Sequence, residues 1–290
     1  MYKTLLIMIM ILVSFNSSWS KNNIPKEQTM QIEFDKTKIS YTEKGQGDIT
    51  LLFIHGWCIN KSYWDAQLEF FSKNYKTIAL DLPGFGNSTA ERENWTIEEY
   101  SSDIINFMDR LKLKNVILVG HSMAGEIILE TALTDHQAIK GIIGIDTFKI
   151  IDVPFSPKQI EEMNAFMKEL EKDFNKMAPS YVDLMLVTPA TDPAVTKRLK
   201  SDFATTNPAV GFLSISSYIN YTRIEAGKLQ SLNYKLHLLN SDGVPTNIAG
   251  LEKHCKSSFE LFDVKATSHY PMIENPDGFN QELQKIINQI

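Results

Sequence analysis

The strongest constraint on the fold is a series of short, continuously apolar runs separated by stretches with helical spacing. In chain order the runs are ITLLFIHG (49–56), YKTIALD (75–81), NVILVGHS (115–122), IKGIIGIDT (139–147), YKLHLLNSD (234–242) and SFELFDV (258–264). Such runs are typical of strands buried on both faces of a parallel sheet. Helical patterns that begin near Ser62, Thr96 and Met123 separate the first four runs. The sequence therefore predicts an α/β fold, with a mainly parallel sheet and helices on both faces.

The chain between residues 148 and 228 has a different pattern, because no strand-like run occurs there. Three helix starts recur instead, each a capping residue followed by proline at the first helical position: Ser156-Pro157, Asp192-Pro193 and Asn207-Pro208. The first of these helices carries apolar residues at amphipathic spacing. This segment is expected to form a helical unit inserted between strands of the sheet. Before the first buried run, residues 30–47 alternate apolar and polar positions and predict an antiparallel hairpin.

The first twenty residues resemble a targeting segment rather than part of the fold. Lys3 is their only charged residue, and it is followed by the apolar run LLIMIMILVSF and the small residues of NSSWS. We interpret this as a signal peptide, residues 1–20, cleaved after Ser20. The apolar run is about half of the roughly 20 residues that a membrane-spanning helix needs. The protein is therefore expected to be secreted or periplasmic without a stable membrane span, and an uncleaved N-terminal anchor is the alternative.

Charge and cysteine content exclude several classes of partner and cofactor. The formal net charge of −6 and the lack of any polybasic run disfavour nucleic acid as a partner. The two cysteines, Cys58 and Cys255, are too few for a disulfide framework, and we expect two buried free thiols. No group of histidines and cysteines has metal-ligand spacing, so no metal is expected.

The stretch VILVGHSMAG, residues 116–125, suggests catalytic chemistry because a strand ends there at a serine. A serine hydroxyl is a weak nucleophile unless a base removes its proton and the oxygen is exposed. A sharp strand-to-helix turn exposes it, provided that the residues two positions before and after are small. Gly120 and Ala124 occupy these positions around Ser122. Alanine replaces the usual glycine at the later position, which is a mild departure.

Five motifs in order resemble those of the α/β-hydrolase fold family: FIHGW, DLPGFGNS, GHSMAG, LLNSD and SHYPMIENPDGF. The resemblance covers nearly the whole mature chain. It implies an eight-stranded, mainly parallel sheet with helices on both faces and an inserted helical cap. The implied organisation is a first part of the core at 21–147, the cap at 148–228 and a second part of the core at 229–290.

The resemblance also implies a catalytic triad in the order serine, acid, histidine. Ser122 would be the nucleophile, His269 the general base and Asp242 the acid that orients the histidine. Asp146, at the end of the preceding strand, is the alternative acid.

An oxyanion hole would be formed by the backbone N–H groups of Trp57 and Met123, with both side chains near the acyl pocket. His55 and His121 belong to the same motifs and are expected to support this loop and the serine turn by hydrogen bonds.

Taken together, these residues imply a serine hydrolase that needs no cofactor and acts on small to medium carboxylic esters. A carbon–carbon bond hydrolase, an aminopeptidase, a lactonase or thioesterase and a haloperoxidase-like enzyme would use the same triad. The serine disfavours epoxide hydrolases and haloalkane dehalogenases, which have aspartate at that position. A ligand-binding protein with little turnover is the alternative from another class, because a fold alone does not establish activity.

Overall fold

One sheet organises the part of the chain that our computed structural model describes, residues 29–290. The expected signal peptide, residues 1–20, lies outside the described residues and stays a prediction. The strands are β1 (Met30–Phe34), β2 (Thr37–Lys44), β3 (Thr50–Ile54), β4 (Lys76–Leu80), β5 (Thr89–Ala90), β6 (Val116–His121), β7 (Ile139–Ile145), β8 (Leu236–Ser241) and β9 (Phe259–Val264).

Helices connect most of these strands. They are α1 (Asp65–Phe71), α2 (Ile97–Arg110), α3 (Met123–Ala132), α4 (Pro157–Lys172), α5 (Phe174–Tyr181), α6 (Pro193–Thr205), α7 (Pro208–Thr222), α8 (Glu225–Gln230), α9 (Ile248–His254), α10 (Pro271–Glu274) and α11 (Pro276–Ile287). A 3-10 turn, Lys61–Trp64, precedes α1, and a π-helical turn, Val182–Leu186, follows α5.

The strand order is β1-β2-β4-β3-β6-β7-β8-β9, and β5 pairs with β2 beside this path. The pairs β1–β2 and β2–β4 are antiparallel, whereas all pairs from β4 to β9 are parallel. The predicted mainly parallel α/β sheet and its N-terminal hairpin are therefore confirmed. The two-residue strand β5 was not predicted, because two residues are too short to produce a recognisable pattern.

Burial explains why the central strands are continuously apolar. Every residue of β3, β6 and β8 is buried, so both faces of these strands pack against other parts of the protein. Since β6 to β9 are parallel neighbours, the loops that follow them begin at the same edge of the sheet. Residues directly after these strands can therefore meet even when they are far apart in sequence.

The segment between β7 and β8 is helical, as expected, and contains α4 to α8. In all three predicted helix starts, the proline lies in the first turn of the helix. Ser156 also forms a capping box with Gln159. Helix α5 packs against both α4 and α6, whereas α7 and α8 contact α3 of the core. The cap boundaries 148 and 228 stay predictions.

Within residues 29–290, no helix is both long and apolar enough to cross a membrane. Both cysteines are free thiols, as expected; Cys58 is buried and Cys255 is partly buried.

Candidate active site

The turn between β6 and α3 presents Ser122 in a conformation that non-glycine residues rarely adopt. Its φ is 53° and its ψ is −124°. A Cβ on Gly120 would lie 2.3 Å from the carbonyl oxygen of Ala124, so the turn requires glycine there. The Ser122 N–H donates to the Ile145 carbonyl at 2.9 Å, which ties the turn to β7. Ser122 itself is partly exposed, as a nucleophile would need to be.

His269 lies beside Ser122, although 147 residues separate them in sequence. The Ser122 Oγ–H donates to His269 Nε2 at 2.8 Å. The structure therefore brings the two residues together, as the sequence motifs predicted. His269 reaches Ser122 from the loop after β9.

Asp146, and not Asp242, is the carboxylate that contacts His269. The His269 Nδ1–H donates to Asp146 Oδ2 at 2.6 Å. Asp242 is exposed, and its Oδ1 accepts only a long 3.4 Å bond from the Thr267 N–H. The expectation that Asp242 orients the histidine is wrong, because β8 ends at Ser241 and the following aspartate faces solvent.

Ser241 contributes from the end of β8 by bonding Asp146. Its N–H and its Oγ–H donate to Asp146 Oδ1 at 2.8 and 2.7 Å. Lys149 adds an ammonium group, which lies 2.6 Å from the same oxygen and also donates to the Ser241 carbonyl. The carboxylate is thus held on both oxygens.

These bonds decide the charge state of Asp146. Burial alone would raise the pKa of its carboxyl group, but hydrogen bonds from His269 and the Lys149 ammonium hold the pKa below its usual value. Asp146 is therefore a permanent anion at neutral pH, suited to stabilising a protonated imidazole.

The loop after β3 lies against the serine turn. A Cβ on Gly56 would lie 3.0 Å from Ser122 Cβ, so the next residue, Trp57, follows directly beside the nucleophile. The Leu82 N–H donates to His55 Nε2 at 2.9 Å, which leaves the proton on Nδ1 to be donated to the Gly56 carbonyl at 2.7 Å. Because C=O and N–H point in opposite directions in a trans peptide, this bond also fixes the direction of the Trp57 N–H.

The second expected donor, Met123, is the first residue of α3. Its N–H is one of those at a helix N-terminus that have no intrahelical acceptor. Both backbone groups are therefore suitably located for the predicted oxyanion hole, and that role stays a prediction.

The side chain of Trp57 is not where we expected it. The indole N–H donates to the Gly211 carbonyl of α7 at 2.8 Å, and its rings pack edge-on against Phe174, Tyr181 and Phe203. Neither Trp57 nor Met123 lines the cavity beside His269. The indole instead anchors the loop to the inserted helices, because burying it there satisfies its only polar group.

The ring of His121 bonds the loop that carries His269, and not the serine turn as expected. Its Nε2–H donates to the His269 carbonyl at 2.7 Å. Burial lowers the pKa of His121 to about 3, so the ring is neutral at physiological pH.

Sequence reasoning missed Glu274, which holds the backbone on both sides of His269. Its carboxylate accepts the N–H groups of Ser268 and Tyr270, each at 3.0 Å, and the Ser268 hydroxyl at 2.6 Å. The Thr191 hydroxyl of the inserted segment reaches the same carboxylate at 3.3 Å. A glutamate five residues after a histidine has no distinctive spacing, so no sequence signal identified it.

A cavity of about 360 Å³ opens beside His269 and Asp146. Its wall includes apolar residues of the inserted segment, of which Leu184 and Met185 are strongly exposed. Its other side carries two buried glutamates, Glu126 and Glu225. In the described part of the chain, no cluster of three His, Cys, Asp or Glu side chains could hold a metal ion.

Comparison with known proteins agrees with the observed fold. A family model for the alpha/beta hydrolase fold matches residues 49–246. The chain therefore belongs to the α/β-hydrolase fold family.

Several characterised proteins are similar to the chain. It is 28% identical over 264 residues to a pimeloyl-[acyl-carrier protein] methyl ester esterase of Wigglesworthia glossinidia brevipalpis, covering 84% of this chain and 96% of that one. It is 34% identical over 113 residues to an (E)-2-((N-methylformamido)methylene)succinate hydrolase of Acinetobacter baylyi, a match that spans 39% of this chain and only 42% of the relative. A thermophilic esterase from Thermogutta terrifontis superposes with a TM-score of 0.75 at 18% identity, covering 90% of this chain and 98% of that one.

Proposed function

We propose that the protein is a serine hydrolase that cleaves small to medium carboxylic esters through an acyl-enzyme on Ser122. The observation that carries this proposal is the continuous chain of two hydrogen bonds from Ser122 Oγ through His269 to Asp146, at 2.8 and 2.6 Å. This is the arrangement of nucleophile, base and orienting acid that acyl transfer by serine requires.

The reaction follows from the positions of these groups. His269 Nε2 takes the hydroxyl proton as Ser122 Oγ attacks the ester carbonyl, and Asp146 stabilises the resulting imidazolium. The N–H groups of Trp57 and Met123 would bind the tetrahedral oxyanion, at about 3 kcal/mol per donor. His269 then protonates the departing alcohol, leaving the acyl group on Ser122. Water attacks this ester with His269 again as base, which releases the acid and restores the hydroxyl.

Substrate size is inferred from the cavity beside the triad. A volume of about 360 Å³ and an apolar wall suit a short or medium chain better than a polymer. Relatives named as esterases support ester cleavage, although the proteins similar to this chain also include an epoxide hydrolase.

An ester panel tests this proposal. We expect purified protein to hydrolyse p-nitrophenyl esters with an optimum at short or medium acyl length, and Ser122→Ala to lose at least about 10³-fold in kcat. Ser102→Ala is the matched control, because this exposed hydroxyl on α2 only bonds the Glu98 carbonyl. Equal, negligible rates in the wild type and Ser122→Ala would instead favour a ligand-binding protein.

We also propose that the protein is exported, on the basis of residues 1–20. Mass spectrometry of protein recovered outside the cytoplasm should give Lys21 as the first residue. Recovery of the intact chain starting at Met1 would favour an uncleaved anchor.

A further inference from the structure

Two carboxyl groups lie side by side in the wall of the cavity that His269 and Asp146 also line. Glu126 on α3 is 1% exposed and Glu225 at the start of α8 is 4% exposed, and both line the cavity. The two carboxyl groups lie within hydrogen-bonding reach, so that one proton can be shared between them. Burial raises the pKa of both groups above the ordinary value.

No cation of the described chain neutralises this carboxyl pair. Glu126 Oε1 accepts a long 3.4 Å bond from the Thr147 hydroxyl, and apart from the proton that it can share with Glu225, its Oε2 has no donor among residues 29–290. Lys149 lines the same cavity, but its ammonium group is bound to Asp146 and Ser241. Two buried carboxyl groups that have one shared proton and no neutralising cation are costly, which makes this side of the cavity a place where a cationic ligand would be stabilised.

The carboxyl pair is also close to the proposed reaction centre. Both glutamates line the same cavity as His269 and Asp146, the two residues that form the hydrogen-bond chain with Ser122. Tyr218 of α7 lines the same part of the cavity, and the exposed side chains of Leu184 and Met185 form its apolar rim. A ligand could therefore place carbon atoms at the rim, a polar end at the glutamates and a carbonyl beside His269, the hydrogen-bond partner of Ser122.

We propose that Glu126 and Glu225 bind a primary ammonium group, so that the preferred substrates are esters that carry a positively charged amine. The inference rests on the proposed esterase function and specifies its substrate class. An ammonium group offers three donors, which the free lone pairs of two carboxylates can accept in place of the shared proton. Such charge-assisted hydrogen bonds are stronger than those between neutral groups.

Direct binding tests the subsite without any need for turnover. We expect calorimetry to give at least tenfold tighter binding of hexylammonium than of 1-hexanol. Glu126→Gln and Glu225→Gln should each remove this preference, while binding of the alcohol stays within about twofold. Glu130→Gln is the matched control on the same helix, because Glu130 bonds Tyr221 and Lys228 and does not line the cavity.

The kinetics of ester hydrolysis then test whether the ammonium subsite selects the substrate. The p-nitrophenyl ester of 6-aminohexanoic acid should have at least tenfold higher kcat/KM than the heptanoate ester, in which a methyl group replaces the ammonium. Equal binding of amine and alcohol by the wild type, or a preference kept in both glutamine variants, would overturn the inference. Hydrolysis of both esters at equal rates would do the same while leaving the esterase function intact. Ammonium binding without hydrolysis of either ester would contradict the proposed esterase function but would still support the ammonium subsite.

Discussion

At the scale of single residues, the site depends on how Asp146 is held. Its two oxygens have separate roles, since Oδ2 accepts the His269 N–H and Oδ1 is bound by Ser241 and Lys149. The carboxylate therefore cannot rotate away from the imidazole without breaking bonds to a buried ammonium. This arrangement fixes both the tautomer and the orientation of His269.

Replacing each aspartate in turn distinguishes the two candidate acids. Asp146→Asn should lower kcat by about 10⁴-fold, because an amide can stabilise the wrong imidazole tautomer and cannot stabilise the imidazolium. Asp242→Asn should change kcat by less than about threefold, since its carboxylate is exposed and accepts from the Thr267 N–H rather than from His269. Steady-state hydrolysis of one p-nitrophenyl ester measures kcat for both variants. A large loss in Asp242→Asn with little loss in Asp146→Asn would reverse the assignment.

The sequence could identify Ser122 and His269 but not the acid between them. A strand-end serine flanked by small residues is a local pattern, because the backbone of the turn itself requires it. The choice of acid depends instead on which strand end faces a histidine more than 120 residues away. Adjacent residues point to opposite sides at a strand end, so that Ser241 turns inward and Asp242 outward.

At the level of structural elements, the loop between β9 and α10 is held in place by α10, the single helical turn that follows it. Glu274, the last residue of α10, accepts N–H groups from the residues on both sides of His269. The inserted segment reaches the same loop, because the His269 N–H donates to the Leu186 carbonyl at 3.3 Å. The position of the base is thus set by contacts from two elements.

Weakening the Glu274 contacts should impair turnover more than substrate binding. Glu274→Gln keeps the shape but loses the charge and one acceptor, so kcat should fall by about tenfold with KM within about twofold. Glu282→Gln on α11 is a suitable control, since Glu282 bonds only the exposed Lys285. An unchanged kcat in Glu274→Gln, or a change confined to KM, would contradict a positioning role.

Elements with local signals could be predicted well, and elements fixed by packing could not. The proline starts of α4, α6 and α7 and the apolar runs of the central strands were all found in sequence, because their causes lie within a few residues. The π-helical turn Val182–Leu186, the strand β5 and the indole contacts of Trp57 depend on distant partners. Such features have no signature in a single sequence.

At the scale of the whole molecule, the carboxyl ends of β6, β7, β8 and β9 bring the site together at one edge of the sheet. The inserted helices contact this edge and enclose a cavity that contains uncompensated acidic groups. Burial of these acidic groups destabilises the folded protein when no ligand is bound. This effect should make the free energy of unfolding depend on pH.

The contribution of the carboxyl pair to the free energy of unfolding should fall as pH rises from about 4.5 through 7. Burial raises the pKa of Glu225 to about 7 and holds that of Glu126 well above its ordinary value, among neighbours that include Tyr218 and Asp146. The folded carboxyl pair then holds more protons than it does in the unfolded chain, so the stability that the pair contributes below pH 4.5 is lost as pH rises through 7. Asp103, whose pKa burial raises to about 6, adds to this trend, whereas His121, whose pKa burial lowers to about 3, opposes it below about pH 6.5.

Thermal unfolding of Glu126→Gln isolates the contribution of the carboxyl pair. The variant should melt at least about 3 °C above the wild type at pH 8 and close to it at pH 4.5. Glu130→Gln, outside the cavity, should keep the pH dependence of the wild type. A melting temperature of Glu126→Gln below that of the wild type at pH 8 would contradict this account of the pair.

The most direct test of the central claim is to locate the covalent adduct of a fluorophosphonate probe by peptide mass spectrometry. We predict that the adduct forms on Ser122, and that the rate of labelling falls by at least about 10³-fold in His269→Ala. Asp242→Asn should be labelled at the rate of the wild type. The absence of an adduct on Ser122, or equal labelling of the wild type and His269→Ala, would contradict activation of this hydroxyl by the imidazole.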